Sequence, residues 1–193
     1  MANHTARLIV LCGLPGSGKT TTARRLADSL PAIRLCPDEW MNVLGFNLWD
    51  EAFRERVEAL QWGFAQELLR IGCAVIIEWG TWGRGERERL RRGARDLGAA
   101  VELRFLDLPV EELWRRLQSR DREVPPIQLH QLEAWAAAFQ APDDDELAQY
   151  DPPLDRFNQA PRAVDRLGAA LRCRPPSTPA PRAGWRPARG PRP

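Results

Sequence analysis

The chain has 193 residues, 44% of them hydrophobic, with a formal net charge of +2, which fits one globular domain with room for a core. No run of about eighteen apolar residues exists, and Met1 to Arg7 is too short and polar for a secretory signal, so the cytoplasm is the expected location and no membrane is an expected partner. From Pro161 onward eight arginines face a single acid, Asp165, which leaves the preceding body net negative.

In chain order, Arg7 to Cys12 (RLIVLC) reads as a buried strand. A glycine-rich turn follows, then a helix from about Lys19 to Leu30. Ala32 to Cys36 is a second strand. Pro37 ends it, and Asp38 is placed to cap a short helix. Asp50 to Arg70 is a long helix with an apolar stripe at Phe53, Val57, Leu60, Phe64 and Leu68. Cys73 to Ile77 (CAVII) is a third strand, ending at Glu78. Gly85 to Leu97 is a charged helix stopped by Gly98, and Val101 to Leu106 a fourth strand. Pro109 opens a helix with Val110, Leu113, Trp114 and Leu117 on one face. Pro125 and Pro126 break the chain before a helix over Ile127 to Phe139. Strands alternating with helices predict an α/β fold, a doubly wound parallel sheet.

The expected divisions are a domain over 1–151, an extension over 152–173 with one short helix at Ala160 to Leu171, and a disordered Pro/Arg-rich tail over 174–193. Cys12, Cys36 and Cys73 lie in or beside apolar runs and read as buried thiols in a reducing compartment; Cys173 lies in the tail. No cysteine pair has zinc-ligand spacing.

Gly13-Leu14-Pro15-Gly16-Ser17-Gly18-Lys19-Thr20 matches the Walker A pattern, with a strand before it and a helix after. Glycines let the backbone curl so that N–H groups point at phosphates, and the helix start adds its positive dipole end. Gly13, Pro15, Gly16, Ser17, Gly18, Lys19, Thr20 and Thr21 are therefore the expected nucleotide-binding set for ATP. Lys19 would neutralise the β- and γ-phosphates, and Thr20 would offer its hydroxyl to Mg²⁺. Lys19 is also the only lysine in the chain. A base-reading lysine motif of the GTPase type is therefore absent, and the chain is too short for an AAA+ motor. A compact P-loop NTPase of the nucleoside-kinase-like type remains.

From Leu8 to Asp151 the sequence resembles the P-loop kinases grouped with zeta toxin, chloramphenicol phosphotransferase and polynucleotide kinase, in particular their small bacterial "AAA family ATPase" members. The resemblance rests on GLPGSGKT, RLCPDEWM, VIIEWGTWGRGER and LPVEELWRRLQSR, in that order. It implies that Asp38 is the general base on the acceptor hydroxyl. A carboxylate at the end of a strand adjacent to the P-loop strand is chemically suited to that task. Glu39 is a poorer candidate, because a helical neighbour points elsewhere. Glu78 stands where an aspartate is usual and would hold Mg²⁺ or orient substrate. Arg116 and Arg120 would form a lid over the triphosphate, with Arg115 and Arg122 as alternatives.

Trp40, Trp79 and Trp82 read either as core or as rings that stack on a flat or sugar-like acceptor. Arg84 and Arg87 read as a solvated helix start or as contacts to an anionic acceptor. The expected reaction is transfer of the γ-phosphoryl group of ATP to a hydroxyl of a small molecule: an antibiotic, nucleoside or sugar nucleotide. A polynucleotide 5′-hydroxyl kinase and a non-catalytic ATP-binding regulator are the alternatives. The negative body argues against nucleic acid as a partner, and the arginine-rich tail is the segment that could bind it.

Overall fold

The structure, a computed structural model, describes residues 6–119 and 126–154. The chain divides into two compact units, Met1–Phe157 and Asn158–Pro193. All described residues belong to the first unit. The helix expected over 160–171 and the tail over 174–193 lie outside them.

Four strands, β1 (Arg7–Cys12), β2 (Ala32–Leu35), β3 (Ala74–Ile77) and β4 (Ala100–Phe105), pair in parallel in the order β2-β3-β1-β4. The helices are α1 (Lys19–Ser29), α2 (Pro37–Val43), α3 (Glu51–Arg70), α4 (Arg84–Asp96), α5 (Val110–Gln118), α6 (Leu129–Ala138) and α7 (Asp144–Leu147). Alternate residues of β1 point to opposite faces. Ile9 and Leu11 pack against Ala23, Leu26 and Leu30 in and just after α1. Leu8, Val10 and Cys12 pack against Ala65 and Leu68 of α3 and Leu90 and Ala94 of α4. Helices thus cover both faces, and the sheet is doubly wound. Among the described residues no helix is long and apolar enough to cross a membrane.

Three readings of the sequence need correction. β3, not β2, neighbours the P-loop strand, so Glu78 ends the adjacent strand and Asp38 follows one strand further out. Asp38 does not cap α2: the cap is Cys36, Pro37 takes the first helical position, and Asp38 lies in the first turn. In α3 the buried face is Val57, Gln61, Ala65, Leu68 and Leu69, while Leu60 and Phe64 face solvent. The face is turned toward Gln61, whose Oε1 accepts the indole N–H of Trp79 at 2.8 Å. That bond lets a polar side chain be fully buried where periodicity alone favours Leu60. Cys12 and Cys36 are buried free thiols, and Cys73 is half-buried.

A third apolar cluster sits against the P-loop: Leu14, with Leu113 and Leu117 of α5 and Ile127 and Leu132 around α6. The helix expected from Ile127 starts at Leu129, behind a reciprocal Gln128–Gln131 capping box. α7 was not expected. Asp143 caps it, accepting the Glu146 N–H at 2.7 Å.

Candidate functional site

The loop between β1 and α1 needs its glycines. Gly13, Gly16 and Gly18 have φ of 151°, 84° and 99°, values that L side chains rarely adopt. They are also crowded. A Cβ on Gly13 would stand 2.8 Å from the Leu106 carbonyl and 2.8 Å from Ser17 Oγ, and one on Gly16 would stand 3.0 Å from the Leu113 carbonyl. The Ser17 N–H donates to the Leu14 carbonyl at 3.1 Å, closing the turn. Lys19 Nζ reaches back over it, donating to the carbonyls of Gly13 at 2.7 Å and Leu14 at 3.0 Å. Pro15 is half-buried, and Thr20 and Thr21 are exposed at the start of α1.

The close approach at Gly16 seats α5 directly on this loop, and that seating brings Arg116 over it. A guanidinium nitrogen of Arg116 lies 4.0 Å from where a Cβ on Gly18 would be. Glu112, one turn earlier, accepts from Arg116 Nε at 2.6 Å and from Arg115 at 2.8 Å through two bonds. Hydrogen bonds from Arg115 and Arg116 hold the Glu112 carboxyl down at about 2. Arg115 is exposed and points its charge at Glu112. Arg120 and Arg122 lie outside the described residues.

The second group of charges stands at the ends of β2 and β3. Glu78 is buried and ion-paired to Arg34 of β2, which also pairs with Glu39 in α2. Burial works against ionisation of Glu39, but Arg34 and Arg24 outweigh it and hold the carboxyl below the ordinary range. The Cys36 thiol is pushed up to about 12 by burial and by Glu78. Asp38 is exposed, and its Oδ1 is 2.7 Å from Arg54 of α3. So the two acids expected to serve chemistry are held by different arginines, Asp38 by Arg54 and Glu78 by Arg34. Neither arginine carries a signal in the sequence, where each is one among many.

Mg²⁺ fits this donor set. The Thr20 hydroxyl is exposed, and Glu78 Oε2 is buried with no hydrogen-bond partner among the described residues. An orphaned buried oxygen is costly, by about 1–3 kcal/mol or more for a charged group, so water or a cation is its natural complement. Cys36, Glu39 and Glu78 each offer a ligand atom within 4.8 Å of the others. Arg34 already supplies a positive charge there, so Glu78 would offer a metal only the one oxygen that Arg34 leaves free.

The loop after β3 settles the tryptophans and arginines differently from one another. Trp79 is a core residue, packed with the strands and bonded to Gln61. Trp40 is half-buried against the same core. Trp82 is half-buried in the cluster around α6, tilted against Trp135 with ring centroids 5.8 Å apart. Arg84 pairs with Asp143 at 2.8 Å, and its N–H donates to Gln140 Oε1. Arg87 is fully buried and so is neither a solvated helix start nor a contact to an acceptor. Its guanidinium forks onto Glu146 at 2.6 and 2.8 Å and donates to the carbonyls of Thr81 at 3.0 Å and Trp82 at 3.2 Å. Thr81 itself is buried at a φ of 42°, so Arg87 and Glu146 hold a strained loop at the mouth of the sheet. Glu146 ends the acidic run Asp143-Asp144-Asp145-Glu146, and nothing in the run tells which acid is buried.

The family described as an AAA domain (AAA_33) matches residues 8–142. An adenylate kinase isoenzyme 6 homolog of Schizosaccharomyces pombe is 32% identical over 136 residues, covering 66% of this chain and 70% of that protein. A shikimate kinase of Corynebacterium glutamicum is 31% identical over 129 residues, covering 63% and 69%. Among solved structures, a chain of the Pnkp1/Rnl/Hen1 RNA repair complex superposes with a TM-score of 0.62 at 25% identity over 70% of this chain. The match takes in 44% of that longer chain, under half its length. A sugar kinase from Janibacter gives a TM-score of 0.54 at 26% identity, covering 73% of this chain and 82% of its own. With a family match across most of its length and kinases among its relatives, the chain belongs to the AAA-domain family as a P-loop protein of the kinase type.

Proposed function

We propose that the protein is an ATP-dependent cytoplasmic kinase that transfers the γ-phosphoryl group to a hydroxyl of a small molecule. The observation that carries the reading is the Walker A loop, with three glycines at positive φ, Lys19 curled over it and Arg116 seated above Gly18. Its loop amides and the α1 N-terminus bind the phosphates. Lys19 exchanges its carbonyl partners for the β- and γ-phosphates. Arg116, joined by Arg120, neutralises charge spread over the transferring phosphoryl. Thr20 and Glu78 would hold Mg²⁺, which when bound offsets charge on the phosphate oxygens.

The acceptor oxygen attacks the γ-phosphorus in line, the bond to the β–γ bridging oxygen breaks, and ADP leaves with that electron pair. The acceptor's proton passes to Asp38, the carboxylate exposed beyond β2. Arg54 keeps Asp38 oriented. Trp40 and Trp82 would meet the acceptor in this reading.

The match to the repair-complex chain favours one second reading, a polynucleotide 5′-hydroxyl kinase. One experiment tests both. Acceptor-dependent ADP release is measured across metabolites, antibiotics and 5′-hydroxyl oligonucleotides, with wild type and Lys19→Ala side by side. Release with a small molecule and none from Lys19→Ala is the expected result. Release only with oligonucleotides moves the assignment to the second reading. Wild-type turnover by a folded Lys19→Ala variant removes the kinase reading altogether.

A further inference from the structure

The two leucines that seat α5 on the phosphate loop are each preceded by a charged residue. Leu113 and Leu117 pack with Leu14, and the Leu113 carbonyl would stand 3.0 Å from a Cβ on Gly16. Glu112 and Arg116, one position earlier in each turn, therefore share the neighbouring face of the helix. Glu112 lies in the first turn, its N–H bonded to the Pro109 carbonyl at 3.0 Å. Its Oε1 accepts from Arg116 Nε at 2.6 Å. Arg115 braces the same carboxylate, Nε on Oε2 and Nη2 on Oε1, both at 2.8 Å.

The pairing and the approach to the loop use different nitrogens of Arg116. Nε is bonded to Glu112, while Nη1 stands over the loop, 4.0 Å from where a Cβ on Gly18 would be. Among the described residues neither terminal nitrogen donates a hydrogen bond. A long arginine side chain left to itself spreads over many rotamers, and ordering it costs entropy when the nucleotide arrives. A bond at Nε fixes the guanidinium beforehand and leaves the terminal N–H groups to a phosphoryl oxygen. Donors placed in advance are worth most where charge develops in the transition state.

We infer that Glu112 is a positioning residue of the phosphoryl-transfer site: braced by Arg115, it holds Arg116 by Nε so that the terminal nitrogens face the transferring phosphoryl group. Glu112 acts through Arg116 and itself touches neither nucleotide nor acceptor. The charges allow this. Two guanidinium groups against one carboxylate leave one positive charge for the triphosphate. An ion pair on a half-exposed helix face adds little to stability, so its loss falls on the phosphoryl contact and not on the fold. This deepens the kinase reading above and rests on it.

The test uses the full chain and needs no acceptor. ADP affinity is measured by calorimetry with Mg²⁺, without and with aluminium fluoride, which stands in for the transferring phosphoryl group. In the wild type aluminium fluoride is expected to tighten ADP binding. Glu112→Ala is expected to lose about tenfold of that gain and to keep ADP affinity without fluoride within about twofold. Glu112→Gln, whose amide oxygen accepts from Nε without a charge, is expected to fall between the two. In an Arg116→Ala background, Glu112→Ala is expected to change nothing further, whereas an independent structural contribution would add. With a working acceptor, kcat of Glu112→Ala is expected to fall by about tenfold and KM for ATP to move by less than about twofold.

The full fluoride gain in folded Glu112→Ala, additive losses in the double variant, or equal losses with and without fluoride overturns the inference. So does a wild type that gains nothing from aluminium fluoride. ADP release by the wild type with any of these results leaves the kinase reading standing. The expected pattern in a chain that releases ADP with no acceptor does the reverse: Glu112 positions Arg116, and the kinase reading falls.

Discussion

Replacing Arg87 by methionine tests how the loop after β3 is held. The substitution keeps most of the side-chain volume and removes a fully buried guanidinium with five protein contacts: two to the Glu146 carboxylate and one each to the Thr81 carbonyl, the Trp82 carbonyl and Cys12 Sγ. Glu146 is itself buried, so the variant leaves its carboxylate with only Arg84 Nε at 3.9 Å, while the Trp82 carbonyl keeps the Gln140 N–H and the Thr81 carbonyl keeps the Cys12 thiol. Breaking a buried pair from one side costs about 3–5 kcal/mol. The lost carbonyl bonds overlap with that figure, because water reaching the loop would serve both. For a fold of this size each kcal/mol lowers the melting temperature by about 2–4 °C, so a fall of roughly 6–20 °C is expected. Urea unfolding at neutral pH, followed by tryptophan fluorescence, measures the change in midpoint at constant slope. The double variant Arg87→Met/Glu146→Leu removes both charges and is expected to recover most of the loss, since a well-packed apolar pair often matches a buried ion pair. A loss below about 1 kcal/mol for Arg87→Met, or no recovery in the double variant, would refute the assignment of the pair as the support of this loop.

Asp38→Asn should keep ATP affinity while turnover falls by about 10²–10⁴, a loss that shrinks if proton transfer is late in a dissociative transition state; calorimetry and steady-state rates with a working acceptor check it. Gly16→Ala places a Cβ 3.0 Å from the Leu113 carbonyl at a φ of 84°, so ATP binding should be lost or severely weakened with the sheet intact, read by calorimetry and far-UV circular dichroism. The Glu58 carboxyl is raised from an ordinary 4.5 to about 7. The folded state therefore keeps a proton that the unfolded chain has released, and the stability this brings is full in acid and lost as pH rises through 7. Glu58→Gln should accordingly be more stable than wild type at pH 8 and match it near pH 4.5, which urea midpoints at the two values decide.

Local signals carried far into the fold. Branched runs marked the strands, and the glycines, Lys19 and their strand–helix context located the phosphate loop without any tertiary knowledge. The strand order was not legible, because nothing in Ala32–Leu35 or Ala74–Ile77 says which pairs with β1. That ambiguity moved Asp38 one strand outward. Gln61 was missed because periodicity counts apolar side chains and cannot foresee a polar one whose Oε1 is bonded to Trp79. Arg34, Arg54 and Arg87 were hidden for a related reason. In a chain whose basic side chains are almost all arginine, composition cannot separate a solvated guanidinium from a buried one; only the partner can, and the partners lie 44, 16 and 59 residues away in sequence.

Lys19 is the only side-chain amine in the sequence, and its ammonium rests on the carbonyls of Gly13 and Leu14. Any reagent that acylates lysine therefore has a single side-chain target, inside the phosphate cradle. A trace of such a reagent, read by peptide mass mapping so that the α-amine is counted apart, becomes a footprint of the cradle: an acyl group on Lys19 when the loop is open, none there when a nucleotide stands over the amine.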